Sequence, residues 1–179
     1  MKVIEHIKQS REPFITFELI PPLRGGNFPQ LEAVIAELAA LHPPFIDVTS
    51  HAAHAEYVET AEGFQRRIRR KRPGTLGICA IIQHKYGIEA VPHVLCQGFT
   101  REETEDFLVE LQYLGIHNIL AIRGDDLGYE KPLAEGRSRN PYALSLVEQI
   151  AALNRGQYLH DELPKAMPTD FCIGIAGYP

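Results

Sequence analysis

The apolar run from Asn118 to Ile122 restricts the fold most, because it ends abruptly at Arg123-Gly124-Asp125. A strand that is buried on both faces of a parallel sheet has this continuous apolar character. In α/β folds the functional side chains follow the carboxyl ends of such strands. The run therefore predicts a buried parallel strand with Asp125 as a candidate functional residue, although an Asp here can equally open a polar loop or cap the next helix.

Strand-like and helix-like segments alternate along the rest of the chain. Residue type and spacing predict strands at Phe14–Ile20, Phe45–Thr49, Glu89–Leu95, Asn118–Ile122 and Phe171–Ala176. Helical spacing and terminal signals predict helices at Leu31–Leu41, at residues 75–86 before Gly87, from the Thr100–Glu103 capping box to Gly115, and from Asn140-Pro141 over Leu144, Val147 and Ile150. The segment 75–86 also fits a strand, and Gly87 as a stop signal favours the helix.

This order predicts repeated strand–helix–strand units and therefore a parallel sheet. The sheet is either open or part of a barrel. No Gly-x-Gly-x-x-Gly follows a predicted strand, which argues against an open dinucleotide-binding sheet. A complete (β/α)8 barrel usually needs about 250 residues, so five strands make only part of one.

Residues 50–74 are polar and irregular in pattern, and they include the basic run Arg66–Arg72. Such a run can bind phosphate groups. It lacks interleaved aromatic residues, and the chain as a whole is acidic, so a solvated surface is the favoured interpretation.

The composition is that of an ordinary globular protein: 179 residues, 45% hydrophobic and 23% charged, which fits one domain. The formal charge of −5 and the pI near 5.9 argue against nucleic acid or an anionic membrane as the main partner. The chain shows neither a membrane-spanning run nor a signal-peptide pattern, so a soluble, cytoplasmic protein is expected. Cys79, Cys96 and Cys172 are widely spaced and are expected to be free thiols.

Parallel strands place their carboxyl ends at one edge of the sheet. The predicted strands would bring together Glu18, Thr49, His93, Arg123, Asp125 and Tyr178. Two carboxylates, an imidazole, a guanidinium and a phenol at one edge favour an active site. Each residue alone also has a structural explanation, such as an ion pair between Arg123 and Asp125.

Four segments resemble, in order and at comparable spacing, the motifs of the flavin-dependent methylenetetrahydrofolate reductases. They are FELIPP at 17–22, PHVLC at 92–96, GIHNILAIRGD at 115–125 and TDFCIGIAGYP at 169–179. The family's versions read F-E-F-F-P-P, P-H-L-T-C and G-I-R-N-I-L-A-L-R-G-D, and its fifth strand ends in a Tyr-Pro pair. The resemblance covers essentially the whole chain.

The resemblance implies a (β/α)8 TIM barrel of which residues 1–179 are the amino-terminal part, with about five strands and four helices. It implies an enzyme that binds FAD, takes hydride from NADH or NADPH, and reduces 5,10-methylenetetrahydrofolate to 5-methyltetrahydrofolate, in one-carbon metabolism and methionine supply. No metal is implied. A homo-oligomer is expected for the full-length protein.

The resemblance also implies roles for individual residues. Glu18 matches the general acid that protonates the folate, and its apolar neighbours would favour the protonated carboxyl. Asp125 matches the carboxylate near the flavin and the pterin, where its charge would disfavour an anionic reduced flavin. Both would contact the substrate.

The remaining matches concern the cofactors. Thr49 matches a residue near the nicotinamide, and the flavin-contacting positions match Ser50, Ala52, His93, Arg123, Gly124, Tyr142, Ala143 and Tyr178. The fork of Arg123 suits the FAD pyrophosphate. Ser50 replaces an aromatic residue of the family pattern, and His51 replaces a glycine.

Three hypotheses remain open from the sequence. The first is the amino-terminal part of a methylenetetrahydrofolate reductase, consistent with an end at Tyr178-Pro179 directly after a buried strand. The second is a non-catalytic half-barrel that serves as an interaction protein. The third is a different pterin-handling or aldol-type barrel enzyme, which would show a metal or a Schiff-base lysine in its cleft.

Overall fold

The computed structural model describes residues 1–126, 128–159 and 165–177. Over these ranges the chain forms five helices and seven strands. The helices are α1 (Val3–Gln9), α2 (Phe28–Ala39), α3 (Leu76–Tyr86), α4 (Arg101–Tyr113) and α5 (Ala143–Leu153). The strands are β1 (Phe17–Leu19), β2 (Phe45–Val48), β3 (His54–Thr60), β4 (Gly63–Arg69), β5 (Glu89–Leu95), β6 (Asn118–Ile122) and β7 (Cys172–Ile175).

Five strands form one parallel sheet in the order β1-β2-β5-β6-β7. Each strand of this sheet pairs with the one that follows it in the chain, and a helix connects each pair. The connection from β2 to β5 also contains the two-stranded ribbon β3–β4, which precedes α3. The predicted α/β fold with a parallel sheet is confirmed. The sequential strand order is consistent with part of a barrel wall and differs from the order of a dinucleotide-binding sheet, which reverses direction at a switch point.

The core lies between the sheet and its helices. Ile46, Val48, Ile119 and Ala121 of the strands are fully or almost fully buried. The helices bury Ile35, Cys79, Ile82, Leu108, Leu111, Leu146, Ile150 and Leu153 against them. Burial of this apolar surface, at about 25 cal/mol per Å², is the main term that holds helices and sheet together.

Several local predictions are confirmed. β5 spans Glu89–Leu95 as predicted, and α3 ends at Gly87, which has the left-handed backbone (φ 68°) that this helix end requires. The capping box of α4 is formed, because the Glu103 amide donates to Thr100 Oγ1 at 3.1 Å and the Thr100 amide donates to Glu103 Oε2 at 2.8 Å. These signals act over three or four residues and so are readable locally.

The prediction of an irregular segment at 50–74 is wrong. β3 and β4 form an antiparallel ribbon, with register from His54↔Arg69 to Thr60↔Gly63. All residues of β4 are exposed, as expected for the solvated basic run. The ribbon buries no apolar face, so its sequence lacks the period-two hydrophobic pattern that identifies most strands.

The helix predicted from Asn140-Pro141 begins later, at Ala143. Asn140 is buried and donates its side-chain amide to Gln149 Oε1 at 2.6 Å, so it holds the helix from the side instead of capping it. Leu144, predicted in the core, is exposed, while Leu146 is buried in its place.

Helix α1 was not among the predicted elements, because its seven residues bury none of their side chains. It lies at the amino end of the sheet, where the Val3 amide donates to Asn118 Oδ1 at 2.7 Å. No described helix has the length and apolar character needed to cross a membrane.

Candidate functional site

The carboxyl ends of the parallel strands border a cleft of about 600 Å³. Eight of the residues predicted from the sequence line it: Glu18, Ser50, Ala52, His93, Arg123, Gly124, Asp125 and Ala143. Leu95, Leu120 and Ile122 add an apolar wall. Residues separated by up to 125 positions thus meet because parallel strands end on one side of the sheet.

Three predicted residues lie outside this lining. Thr49 directly precedes the lining residue Ser50. The Thr49 amide donates to the Leu19 carbonyl at 3.0 Å, which joins the ends of β1 and β2. Tyr142 lines a neighbouring cleft of about 210 Å³, where the Arg123 guanidinium carbon is 5.8 Å from its ring centre. This cation–π contact orients Arg123. Tyr178 lies outside the described residues.

The glycine after β6 sets the corner that presents Asp125. Gly124 has φ +83°, and a Cβ there would lie 3.3 Å from Gln97 Cβ and 3.5 Å from Leu95 Cδ2. The adjacent backbone is fixed, since the Gln97 amide donates to the Arg123 carbonyl at 3.0 Å. A glycine is favoured here because the backbone angle is left-handed and because a Cβ would force Gln97 to shift by a few tenths of an ångström.

An ionisable cluster joins the first three strands of the sheet. His93 Nε2 lies 3.8 Å from Glu18 Oε2 and 3.7 Å from Asp47 Oδ1. The His93 side chain is buried, whereas that of Glu18 is exposed toward the cleft. His93 Nε2 makes no hydrogen bond within the described part of the chain.

Asp47 was missing from the residues predicted for the site. It lies in β2, two residues before Thr49, and strand alternation places residues two apart on the same face. That spacing was the signal that could have identified it, but an Asp in the middle of a short strand offers no motif.

His51 and the end of the basic run form a second part of the site that was not predicted. Arg70 Nε donates to the His51 carbonyl at 3.2 Å, and its guanidinium carbon lies 5.2 Å from the Phe99 ring centre. Arg72 donates to the Pro21 carbonyl. The basic run therefore fastens the ribbon to the loops that follow β1 and β5.

The surroundings of His51 favour its neutral form. Burial lowers the pKa of its imidazole, and Arg72 acts in the same direction, while the charge of Asp125 opposes them. The neutral ring is therefore favoured near neutral pH. Its Nδ1 is buried and has no hydrogen-bond partner among the described residues.

The thiols near the site are unreactive. Burial raises the pKa of Cys96 to about 11, against the opposing effect of Arg123. Burial, together with the charge of Asp47, raises the pKa of Cys79 further. The three cysteines are free, as predicted, and protonated thiols are poor nucleophiles.

The cleft has an apolar wall, and buried polar groups that lack partners line it or lie next to it. His93 Nε2 and His51 Nδ1 belong to lining residues, and Thr49 Oγ1, beside the lining, also makes no hydrogen bond to any described residue. Buried polar atoms without partners are uncommon in folded proteins, and a ligand or a water molecule would supply the missing partner. The arrangement suits a flat heteroaromatic ligand with an apolar face and a hydrogen-bonding edge, beside the exposed carboxyl of Glu18.

Comparison with known proteins identifies the family of the chain. Residues 2–179 match the family model described as methylenetetrahydrofolate reductase. The chain is 28% identical over 165 residues to the 5,10-methylenetetrahydrofolate reductase of Pectobacterium carotovorum, covering 92% of this chain and 43% of that protein.

Plant relatives show the same similarity. The chain is 28% identical over 182 residues to the probable methylenetetrahydrofolate reductase (NADH) of Oryza sativa and to methylenetetrahydrofolate reductase (NADH) 1 of Arabidopsis thaliana, covering all of this chain and 26% of each plant protein. The chain thus spans less than half the length of these relatives.

Proposed function

The chain belongs to the methylenetetrahydrofolate reductase family, and we propose that it forms the amino-terminal part of a (β/α)8 barrel that reduces 5,10-methylenetetrahydrofolate to 5-methyltetrahydrofolate. The observation that supports this most directly is the shared cleft of Glu18 and Asp125. These two carboxylates come from strands that are more than a hundred residues apart in the sequence. In the proposed reaction one of them would donate a proton and the other would supply a fixed negative charge.

Glu18 is proposed as the general acid. In its protonated form the carboxyl would donate a proton to a nitrogen of the folate, which opens the methylene bridge to an electrophilic iminium. The side chain is 58% exposed at the cleft, so it is accessible to a substrate. A positioned general acid typically contributes about 10²–10⁴-fold to a rate.

The cleft residues fit FAD, which would supply hydride transfer between the nicotinamide and the folate when bound. Arg123 suits the pyrophosphate, and Gly124 lets the backbone approach the cofactor closely. Ser50, Ala52, His93 and Ala143 would contact the flavin from the cleft wall, with Tyr142 behind Arg123. Asp125 would face the flavin ring and the pterin, where its charge disfavours an anionic reduced flavin.

The electron donor is proposed to be NADH or NADPH, with Thr49 beside the nicotinamide. The rice and Arabidopsis relatives carry NADH in their names. We also propose that the complete protein is a cytoplasmic homo-oligomer that acts in one-carbon metabolism and methionine supply.

The first test is flavin binding. The purified chain, and the longest natural protein that contains it, are titrated with FAD while the visible spectrum is recorded. We expect a perturbed flavin spectrum with saturable binding, at least in the longer protein. Absence of binding in both would overturn the proposal and favour a non-catalytic half-barrel.

The second test separates the two half-reactions in Glu18→Gln of the longer protein. Flavin reduction by the nicotinamide should keep its rate, because no folate nitrogen is protonated in that step. Transfer to the folate should fall about 10²–10⁴-fold. Glu37→Gln, at an exposed position on α2, is the matched control. Equal loss of both half-reactions would mean that Glu18 is structural.

A further inference from the structure

Asp47 faces the same imidazole as Glu18, and neither the comparisons nor the sequence motifs assign it a role. The register pairs Glu18 with Asp47 across β1 and β2, so the two carboxylates are direct neighbours on one face of the sheet. Two adjacent carboxylates repel each other unless a proton or a cation lies between them. The group between them here is His93.

The distances place His93 as the shared partner. Its Nε2 is almost equally far from Asp47 Oδ1 (3.7 Å) and Glu18 Oε2 (3.8 Å). Both distances are slightly too long for hydrogen bonds. Movement of a few tenths of an ångström would close either one.

The three side chains differ in how far they are exposed to solvent. His93 is 7% exposed and Asp47 20%, whereas Glu18 is 58% exposed. Glu18 is therefore the member of the cluster that a substrate can reach, and His93 and Asp47 lie behind it. The other ionisable groups near the cluster are His51, for which the neutral form is favoured, and the protonated thiol of Cys79.

We propose that Asp47 is a positioning residue: it draws the Nε2–H of His93 toward the two paired carboxylates and so fixes the imidazole against Glu18 at the cleft. This inference rests on the proposed role of Glu18 as proton donor. With the Nε2–H of His93 directed at it, the Glu18 carboxyl is held in one orientation at the cleft, and no bond to hydrogen is made or broken between the two side chains.

The geometry gives Asp47 this role. His93 approaches the Glu18 carboxyl from the buried side. Asp47 pairs with Glu18 across β1 and β2, and its Oδ1 lies 3.7 Å from the same imidazole nitrogen, so it can fix the ring in this position.

The first test reads His93 without using activity. Nitrogen-15 NMR of the imidazole is recorded for the wild-type chain, Asp47→Asn and Asp47→Glu at neutral pH. We expect the wild type to carry its proton on Nε2, Asp47→Asn to shift toward the tautomer without it, and Asp47→Glu to restore the signal. Asp106→Asn, an exposed carboxylate on α4, should leave the His93 signal unchanged.

The second test uses the half-reactions of the longest natural protein that contains the chain. Asp47→Asn should slow folate reduction about tenfold at saturating substrate, with KM and flavin reduction unchanged, and Asp47→Glu should recover most of the rate. An unchanged His93 signal in a folded Asp47→Asn variant would overturn the inference. Should Asp47→Asn fail to fold, an unchanged His93 signal in a folded Asp47→Ser variant would overturn the inference in the same way.

The two proposals fail in different ways. Without flavin binding the reductase proposal falls, while the His93 spectrum still reports whether Asp47 sets its proton. With normal flavin binding and an Asp47→Asn variant that turns over at the wild-type rate, only the role of Asp47 is lost.

Discussion

At the residue scale, Gly124 shows how one position limits the whole site. The strand β6 could end in any polar corner, but the observed corner needs φ +83° and leaves a Cβ only 3.3 Å from Gln97 Cβ. The loop after β5 packs against this corner, because the Gln97 amide donates to the Arg123 carbonyl. This packing fixes the backbone angle of Gly124 and limits the space beside it. The position of Asp125 therefore depends on a residue that carries no chemistry of its own.

We predict that Gly124→Ala destabilises the protein more than Gly128→Ala does. Both positions have positive φ, which costs about 1 kcal/mol for alanine. Only Gly124 would bring its Cβ into close contact, since no described atom lies within 4 Å of a Cβ at Gly128. The contact should add about 1–2 kcal/mol in urea denaturation. Equal losses in the two variants would show that the corner has room to relax.

At the element scale, the β3–β4 ribbon is the part of the fold that needs tertiary support. A two-stranded ribbon is marginally stable alone, and this one exposes Tyr57, Phe64 and Ile68. Its support comes from its base, where Arg24 Nε donates to the Arg70 carbonyl at 2.9 Å and the Arg70 side chain contacts His51 and Phe99. Arg66 adds a hydrogen bond to the Gly128 carbonyl at 2.9 Å.

We predict that Arg70→Ala loosens the ribbon while Arg67→Ala does not. Arg70 contributes a cation–π contact and a hydrogen bond between segments, together about 1–2 kcal/mol. Arg67 Nε bonds only Gln65 of its own strand among the described residues. Amide hydrogen exchange in β3 and β4 should therefore become roughly tenfold faster in Arg70→Ala alone. Similar exchange in the two variants would refute the anchoring role.

At the scale of the whole molecule, the two ends of the sheet differ in their surroundings. The carboxyl end carries the cleft, and the amino end is covered by α1. Asn118 joins three segments there: it accepts from the Val3 amide at 2.7 Å, donates to the Met1 carbonyl at 3.0 Å, and donates to Glu89 Oε2 at 3.3 Å. Its side chain is 1% exposed, so these bonds replace water completely.

We predict that Asn118→Ala lowers the free energy of unfolding by about 2–3 kcal/mol, because it leaves buried donors and acceptors without partners. Asn27→Ala is the control, since Asn27 is exposed at the start of α2 and its side chain makes no capping hydrogen bond. It should change stability by about 0.5 kcal/mol or less. Urea denaturation measures both, and a loss under 1 kcal/mol in Asn118→Ala would contradict this account.

The sequence predicted those parts of the fold whose signals are local or periodic. β5 lies at Glu89–Leu95 as expected, and the Thr100 capping box and Gly87 mark their helix ends, because each is decided by neighbours within a few residues. Eight of the predicted site residues line one cleft because strand direction follows from the order of elements alone. The start of α5 was placed too early, because burial of Asn140 against Gln149 is a long-range effect.

The sequence by itself determined the family, through the resemblance of its four motifs. It also determined the parallel sheet and the edge at which Glu18 and Asp125 lie, since periodicity and element order are properties of the chain. Only the tertiary structure decided that the Arg66–Arg72 run belongs partly to an anchored ribbon and that Asp47 shares His93 with Glu18. Neither feature can be predicted from the sequence alone. An exposed ribbon has no hydrophobic period, and the meeting of three ionisable groups depends on the register of three strands, which sequence spacing does not specify.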